Sequence, residues 1–189
     1  MQRGFKTQSE AWAVDLRRAL DLNPQDPLAA EQLASHLGVF LVGPHDIPGM
    51  DAVTLWQLLF TDPSSWSALT ISVGDQPVII RNTEHAKTRQ QSDLMHELAH
   101  LLCKHEPSMV LQISEFPYPL RDYDEEQEAE ASWLGGCLQL PRPALLWAAR
   151  RQLSEAAMVL HFGASVDLIR YRRQVTGVTR QLATFRSRR

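Results

Sequence analysis

Cysteine is scarce in this chain, with only Cys103 and Cys137 among 189 residues. Two thiols in apolar stretches cannot build a disulfide framework, and both read as buried and reduced. Long hydrophobic runs are missing too. The opening Met-Gln-Arg-Gly-Phe-Lys-Thr-Gln-Ser has no apolar segment of signal-peptide length, and no later stretch has the roughly 20 apolar residues of a membrane span. The expectation is a cytoplasmic chain with no membrane partner. Acidic residues are nearly absent from the last quarter: residues 142–189 hold ten arginines against Glu155 and Asp167, a balance of +8, whereas residues 1–141 balance at −11. Such a basic end fits either a helical face docked on the acidic body or contact with nucleic acid, and both readings stay open here. Composition excludes disorder as the theme, since 44% hydrophobic and 22% charged residues are ordinary for a folded domain.

The chemistry is concentrated in Ser92-Asp-Leu-Met-His-Glu-Leu-Ala-His-Leu-Leu-Cys103. Two histidines four apart on a helix lie about 40° apart around its axis and about 6 Å along it, so His96 and His100 can reach one metal ion. Glu97 projects about 100° away and can take a proton from a water at the metal's open position. A bare His-Glu-x-x-His arises by chance in roughly one chain of this length in a hundred, so its surroundings decide. Leu94, Met95, Leu98, Ala99, Leu101 and Leu102 make the helix largely apolar, and three polar groups there need a partner. A metal ion supplies it. Ser92 reads as the N-cap of this helix. Cys103 is set aside as a ligand, because catalytic sites more often draw the third one from a separate element.

Around this helix the chain alternates short elements. Ser9 to Leu20 and Pro27 to Leu37 read as helices, Val39 to Val42 as a strand, and residues 43–50 as a loop. Asp51 caps a helix over Val53 to Phe60. Ser67 to Val73 and Pro77 to Arg81, separated by Gly74-Asp75-Gln76, read as a hairpin whose edge borders the cleft. A second long helix starts in the acidic run from Asp124 and ends before Pro141. After it come Arg142 to Arg151, Ser154 to Phe162, and Val166 to Arg173 behind a Gly163-Ala-Ser165 turn, the grammar of a helix-turn-helix. Arg170, Arg172 and Arg173 on the last helix could face phosphates.

Most carboxylates of the acidic run suit a helix N-terminus and nothing more. One is needed as third metal ligand. Glu126 and Glu130 share a face, and Glu130 stands closer to Trp133, Leu134 and Cys137, which would pack on the His-Glu helix; Glu130 is therefore expected. The other histidines, His36, His45, His85, His105 and His161, read as surface or satisfied core residues. His105 falls about 140° from the His100 face if the helix continues. Tyr118, Tyr123, His85 and Tyr171 are unranked candidates to stabilise an oxyanion.

Arg3-Gly-Phe-Lys6, Pro27-Leu28, Leu33-Ala-Ser-His-Leu-Gly38, Trp66-Ser-Ala68, Arg89-Gln90, His96 to Leu102, and Glu130-Ala-Ser-Trp-Leu-Gly-Gly-Cys-Leu-Gln-Leu-Pro141 together resemble the ImmA/IrrE family of metallo-endopeptidases. The resemblance implies that the Glu of a Glu-Ala pair completes the metal site, at Glu130. It departs from the family at Gly135-Gly136, where small residues such as alanine are usual, and two helical glycines suggest close approach of another backbone. It further implies a protein substrate, a transcriptional repressor cut to release mobile-element or stress-response genes.

The expected architecture is α+β: a small antiparallel sheet with helices carrying the metal site over residues 1–141, then a helix-turn-helix-like module over 142–189. The expected activity is that of a zinc-dependent endopeptidase, with manganese or another divalent ion as substitutes. His96, His100 and Glu130 hold the metal and Glu97 is the base. The rival is a DNA-binding or protein-binding regulator whose metal site is structural or sensory.

Overall fold

The structure, a computed structural model, describes residues 1–105, 110–111, 120–121 and 124–181. Its elements in chain order are α1 (Phe5–Ala19), α2 (Ala30–His36), β1 (Phe40–Val42), α3 (Ala52–Trp56), β2 (Ala68–Val73), β3 (Gln76–Arg81), α4 (Lys87–Cys103), β4 (Val110–Leu111), β5 (Leu120–Arg121), α5 (Glu125–Gln139), α6 (Arg142–Arg150), α7 (Glu155–Phe162) and α8 (Val166–Thr176). The fold is α+β. Among the described residues no helix is long and apolar enough to cross a membrane.

Local signals act where the sequence places them. Asp51 accepts the Val53 and Thr54 amides at 2.9 Å to start α3, and Asp124 accepts those of Glu126 and Gln127 to start α5. Ser154 and Ser165 cap α7 and α8 in the same way, each at 3.1 Å. These carboxylates and hydroxyls satisfy amides that no helical carbonyl can reach. Two boundaries differ from expectation. The helix after Asp51 tightens no further than Trp56 and runs on as a π-helical turn over Gln57–Thr61. α4 begins at Lys87, five residues before Ser92. Lys87, Arg89, Gln90 and Gln91 are good helix formers but carry no apolar stripe, so the amphipathic pattern does not mark this first turn and a half of the helix. Ser92, inside the helix, instead donates its hydroxyl to Gln139 at 3.1 Å.

β2 and β3 form the antiparallel hairpin, with Thr70 opposite Ile79. β1 joins β3 on the other side but runs parallel to it, so the three-stranded sheet, ordered β1-β3-β2, is mixed rather than antiparallel. Residues 43–67 between β1 and the hairpin are long enough for a crossover that returns the chain in the same direction. The arrangement leaves β2 at an edge.

The core sits where α4 crosses α5. Leu94, Met95, Leu98 and Ala99 are fully buried in one cluster with Ala131, Leu134, Cys137 and Leu138. Gly135 makes the crossing close: a Cβ there would lie 3.1 Å from the Met95 carbonyl oxygen and 3.2 Å from the His96 nitrogen. The glycine pair therefore does mark a close backbone approach. At Gly136 the near neighbour is a side-chain atom, Arg172 Cδ, at 3.2 Å.

Two buried arginines hold the far end of α5. Arg17 of α1 donates to the Leu138 carbonyl at 2.8 Å, and Arg172 of α8 donates to that of Leu140 at 3.1 Å. Both guanidiniums sit where a helix leaves its last carbonyls unpaired and its dipole favours positive charge. Gln139 adds a further tie, donating to the Gly163 carbonyl at 3.1 Å. A second apolar cluster, including Leu140, Leu145, Met158, Phe162 and Ile169, lies under α6, α7 and α8.

The Gly135 contact makes a stability prediction. Alanine gains about 1 kcal/mol of helix propensity over glycine. Forcing two backbones apart costs about 1–3 kcal/mol, as core overpacking does. Gly135→Ala is expected to lower the urea midpoint and Gly136→Ala to lower it less, because a side chain gives way more easily than a backbone. Equal midpoints for the wild type and Gly135→Ala would show that the crossing tolerates separation.

Candidate metal centre

His96 and His100 lie in the second half of α4 with their Nε2 atoms 3.0 Å apart. The third donor is Glu128, whose Oε2 is 3.1 Å from His96 Nε2 and whose Oε1 is 3.4 Å from His100 Nε2. Among the described residues, His96, His100 and Glu128 are the group of metal-donor side chains that converges this closely.

Glu130, the expected third ligand, does not join them. Its Oε2 is 3.4 Å from His105 Nε2, and its Oε1 accepts the Gln2 amide at 3.2 Å. Helical phase explains the difference. Gly135 marks the stripe of α5 that touches α4, and Glu128, seven residues earlier, is within about 20° of it. Glu130, five residues earlier, is about 140° away. The sequence contains two consecutive Glu-Ala pairs, Glu128-Ala129 and Glu130-Ala131, so the pair pattern alone could not choose between them. Spacing from Gly135 could have.

The donor set suits a divalent ion such as zinc. With metal–ligand bonds of about 2.0–2.1 Å, tetrahedral ligand atoms stand about 3.3 Å from one another. The separations of His96 Nε2 from His100 Nε2, at 3.0 Å, and from Glu128 Oε2, at 3.1 Å, fall near that value, and the other carboxylate oxygen of Glu128 lies 3.4 Å from His100 Nε2. Each side chain is 20–29% exposed, leaving one side open. Burial, and then the neighbouring His96, push the His100 imidazole down to about 4, so near neutral pH it is uncharged and offers a lone pair. Burial pushes the Cys103 thiol up to about 11, which keeps it protonated and agrees with leaving it out.

Glu97 is held from the sheet. Thr70 of β2 donates its hydroxyl to Glu97 Oε2 at 2.5 Å, a contact no local pattern could foretell because it joins a strand to a helix 27 residues on. Beside Glu97 opens a cleft of about 1040 Å³, bordered by His96 and Glu128 on one side and by apolar residues including Leu58, Trp66, Leu69 and Ile80 on another.

His105, set aside in the sequence, sits against the site: its Nδ1 is 3.0 Å from His100 Nδ1. α4 stops at Cys103 and Lys104 turns left-handed, with φ +55°, which swings His105 back so that its amide bonds the His100 carbonyl at 3.0 Å. A glycine would have announced that turn, and lysine did not. Of the oxyanion candidates, Tyr118 and Tyr123 lie outside the described residues. His85 is engaged by Asp93 at 3.2 Å and the Pro63 carbonyl at 2.9 Å, and Tyr171 rests edge-on against Trp133; neither lines the cleft. His36 and His45 are exposed and His161 stacks on Trp147.

The three arginines of α8 read as phosphate contacts are occupied within the chain. Arg170 pairs with Glu155 at 2.8 Å, and Arg172 is fully buried against Glu10 at 2.5 Å. Arg173 donates to the Leu153 carbonyl and to Met158 Sδ.

No curated protein matches the chain. The sequence model of one family, Peptidase M78, described as the IrrE N-terminal-like domain, matches residues 57–173. That span covers more than half of the chain and includes β2, β3, α4 and α5, the elements that supply Thr70, His96, Glu97, His100 and Glu128. The chain accordingly belongs to the M78 peptidase family, the metallopeptidases of the ImmA/IrrE type.

Proposed function

We propose that the protein is a zinc-dependent endopeptidase in which His96, His100 and Glu128 hold the ion and Glu97 is the catalytic base. The observation that carries this reading is the convergence of three donor atoms beside a carboxylate that is itself held by Thr70. Bound there, the ion would polarise a scissile carbonyl and acidify a water. The chain does the rest. Glu97 takes the proton from the attacking water and delivers it to the leaving amine, and the Thr70 hydroxyl keeps the carboxylate turned toward the open side of the site. The edge strand β2 offers unpaired backbone groups along the cleft, which suits an extended polypeptide that adds as a strand.

The proposed substrate is a helix-turn-helix transcriptional repressor, as the family resemblance implies. The proposed division places the peptidase core in residues 1–141 and a helical substrate-positioning module in 142–189, although the family match runs past that boundary to residue 173. The burial of Arg172 against Glu10 and the contacts of Arg173 with Leu153 and Met158 favour this over the nucleic-acid reading, while Arg170 pairs with Glu155 at the surface.

The metal assignment is tested by elemental analysis and zinc competition. The wild type is expected to carry about one ion per chain. His96→Ala, His100→Ala and Glu128→Ala should lose it, with a much smaller effect from Glu130→Ala. A Glu130→Ala protein without metal beside a fully loaded Glu128→Ala protein would reverse the assignment.

Catalysis is tested on a helix-turn-helix repressor as substrate, one encoded beside this protein being the first choice. Glu97→Gln should keep the metal and the fold while cleavage falls by about a factor of a hundred or more, the worth of general-base help. Undiminished cleavage would mean that another group activates the water. Thr70→Val removes a hydrogen bond to a charged group, worth about 1.5–3 kcal/mol. It is expected to lower kcat by about ten- to a hundredfold with KM little changed, and Thr70→Ser should restore it. A loss confined to KM would place Thr70 in substrate binding instead.

A further inference from the structure

Glu130 and His105 are unused by the reaction as derived, yet they are joined to one of its ligands. His100 Nδ1 faces His105 Nδ1 at 3.0 Å, His105 Nε2 faces Glu130 Oε2 at 3.4 Å, and Glu130 Oε1 is fixed by the Gln2 amide at 3.2 Å. The side chains are only 7% exposed at His105 and 16% at Glu130. We propose that His105 and Glu130 are positioning residues for the metal centre, a relay that locks the tautomer and ring angle of His100.

The assignment follows from counting protons. A neutral imidazole carries one N–H. His100 turns Nε2 toward His96 and Glu128, where a metal ligand must present a lone pair, so its proton sits on Nδ1. That N–H donates to His105 Nδ1, which must then be bare. His105 therefore carries its proton on Nε2 and donates it to the Glu130 carboxylate. Each member has one arrangement compatible with its neighbours, and the carboxylate at the end makes the bonded nitrogen of His100 a better donor to the ion. The left-handed Lys104 is what allows it, by turning His105 back across the end of α4. Partners of this kind typically change metal affinity 10–100-fold when removed. His96 has a weaker counterpart, Ser132 Oγ at 3.5 Å from its Nδ1.

This inference rests on the metal reading above, and the experiment separates the two. Zinc affinity is measured by chelator competition on the full-length wild type, Glu128→Ala, His105→Ala, His105→Asn, Glu130→Gln and the His105→Ala/Glu130→Gln double variant, with circular dichroism to confirm folding. The expected result is zinc binding 10–100-fold weaker in His105→Ala and several-fold weaker in Glu130→Gln, with partial rescue in His105→Asn, whose amide oxygen can accept in place of Nδ1. In the double variant the loss should match that of His105→Ala alone, because Glu130 acts only through His105. Long-range ¹⁵N correlation spectra of the zinc-loaded wild type should show the proton on Nδ1 of His100 and on Nε2 of His105, a signature that packing alone would not set. If Glu128→Ala loses zinc while His105→Ala and Glu130→Gln bind as the wild type does, the relay is refuted and the metal site stands. A proton on His105 Nδ1 refutes the relay equally. Failure of the wild type to bind zinc removes both readings.

Discussion

The close crossing of α4 and α5 at Gly135 is the constraint from which the site follows. Because a Cβ at that position would meet the Met95 carbonyl oxygen at 3.1 Å and the His96 nitrogen at 3.2 Å, the two backbones are in contact one residue from the first metal-ligand candidate. Distance and rotation between the helices are then no longer free. Glu128, on the Gly135 stripe two turns earlier, is carried to His96 and His100 without any loop having to place it. All three donors come from two helices whose mutual geometry is set by the core, and sites on rigid elements hold their geometry more tightly than sites on loops.

The helix ends complete this arrangement electrostatically. α5 starts in acidic residues capped by Asp124 and ends on carbonyls that accept from buried Arg17 and Arg172. Charge of each sign sits at the end of the dipole that favours it. Arg172 also pairs with Glu10, so α1, α5 and α8 meet at one point. An ion pair with its arginine fully buried adds little net stability, but removing Glu10 strands that charge and costs several kcal/mol. It therefore specifies how these helices meet more than how strongly. The same pairing accounts for part of the charge asymmetry of the chain: Arg172 from the basic quarter faces an acidic partner, Glu10, in the acidic body.

Much of the local structure was legible because its causes are local. Asp51, Asp124, Ser154 and Ser165 start helices by bonding amides two or three residues on, and the hairpin needed only two β-branched runs and a turn. His96, Glu97 and His100 were legible because spacing on one helix is itself geometry. What was not legible depends on relations between elements. The parallel pairing of β1, the Thr70 hydroxyl on Glu97 and the inward turn of Arg172 are each contacts between distant segments. The choice of Glu128 over Glu130 needed the phase of α5 against α4. A contact-making glycine reveals that phase better than the apolar residues do, because α5 is apolar nearly all round its second half.

His105 shows how a single backbone angle can decide whether a residue belongs to a site. Had α4 continued, His105 would have pointed about 140° from His100. The left-handed Lys104 returns it to within 3.0 Å. A non-glycine residue in that region costs free energy that its surroundings must offset. Here the turn also satisfies the His100 carbonyl, which accepts the His105 amide at 3.0 Å. The backbone bond and the ring contact thus fix the same histidine by two routes. An ion held by His100 would strengthen both, since metal binding and ligand ordering are linked. The end of α4 and the acidic start of α5 would then become one cooperative unit, in which Glu128 would hold the ion directly and Glu130 would act on it through two imidazoles.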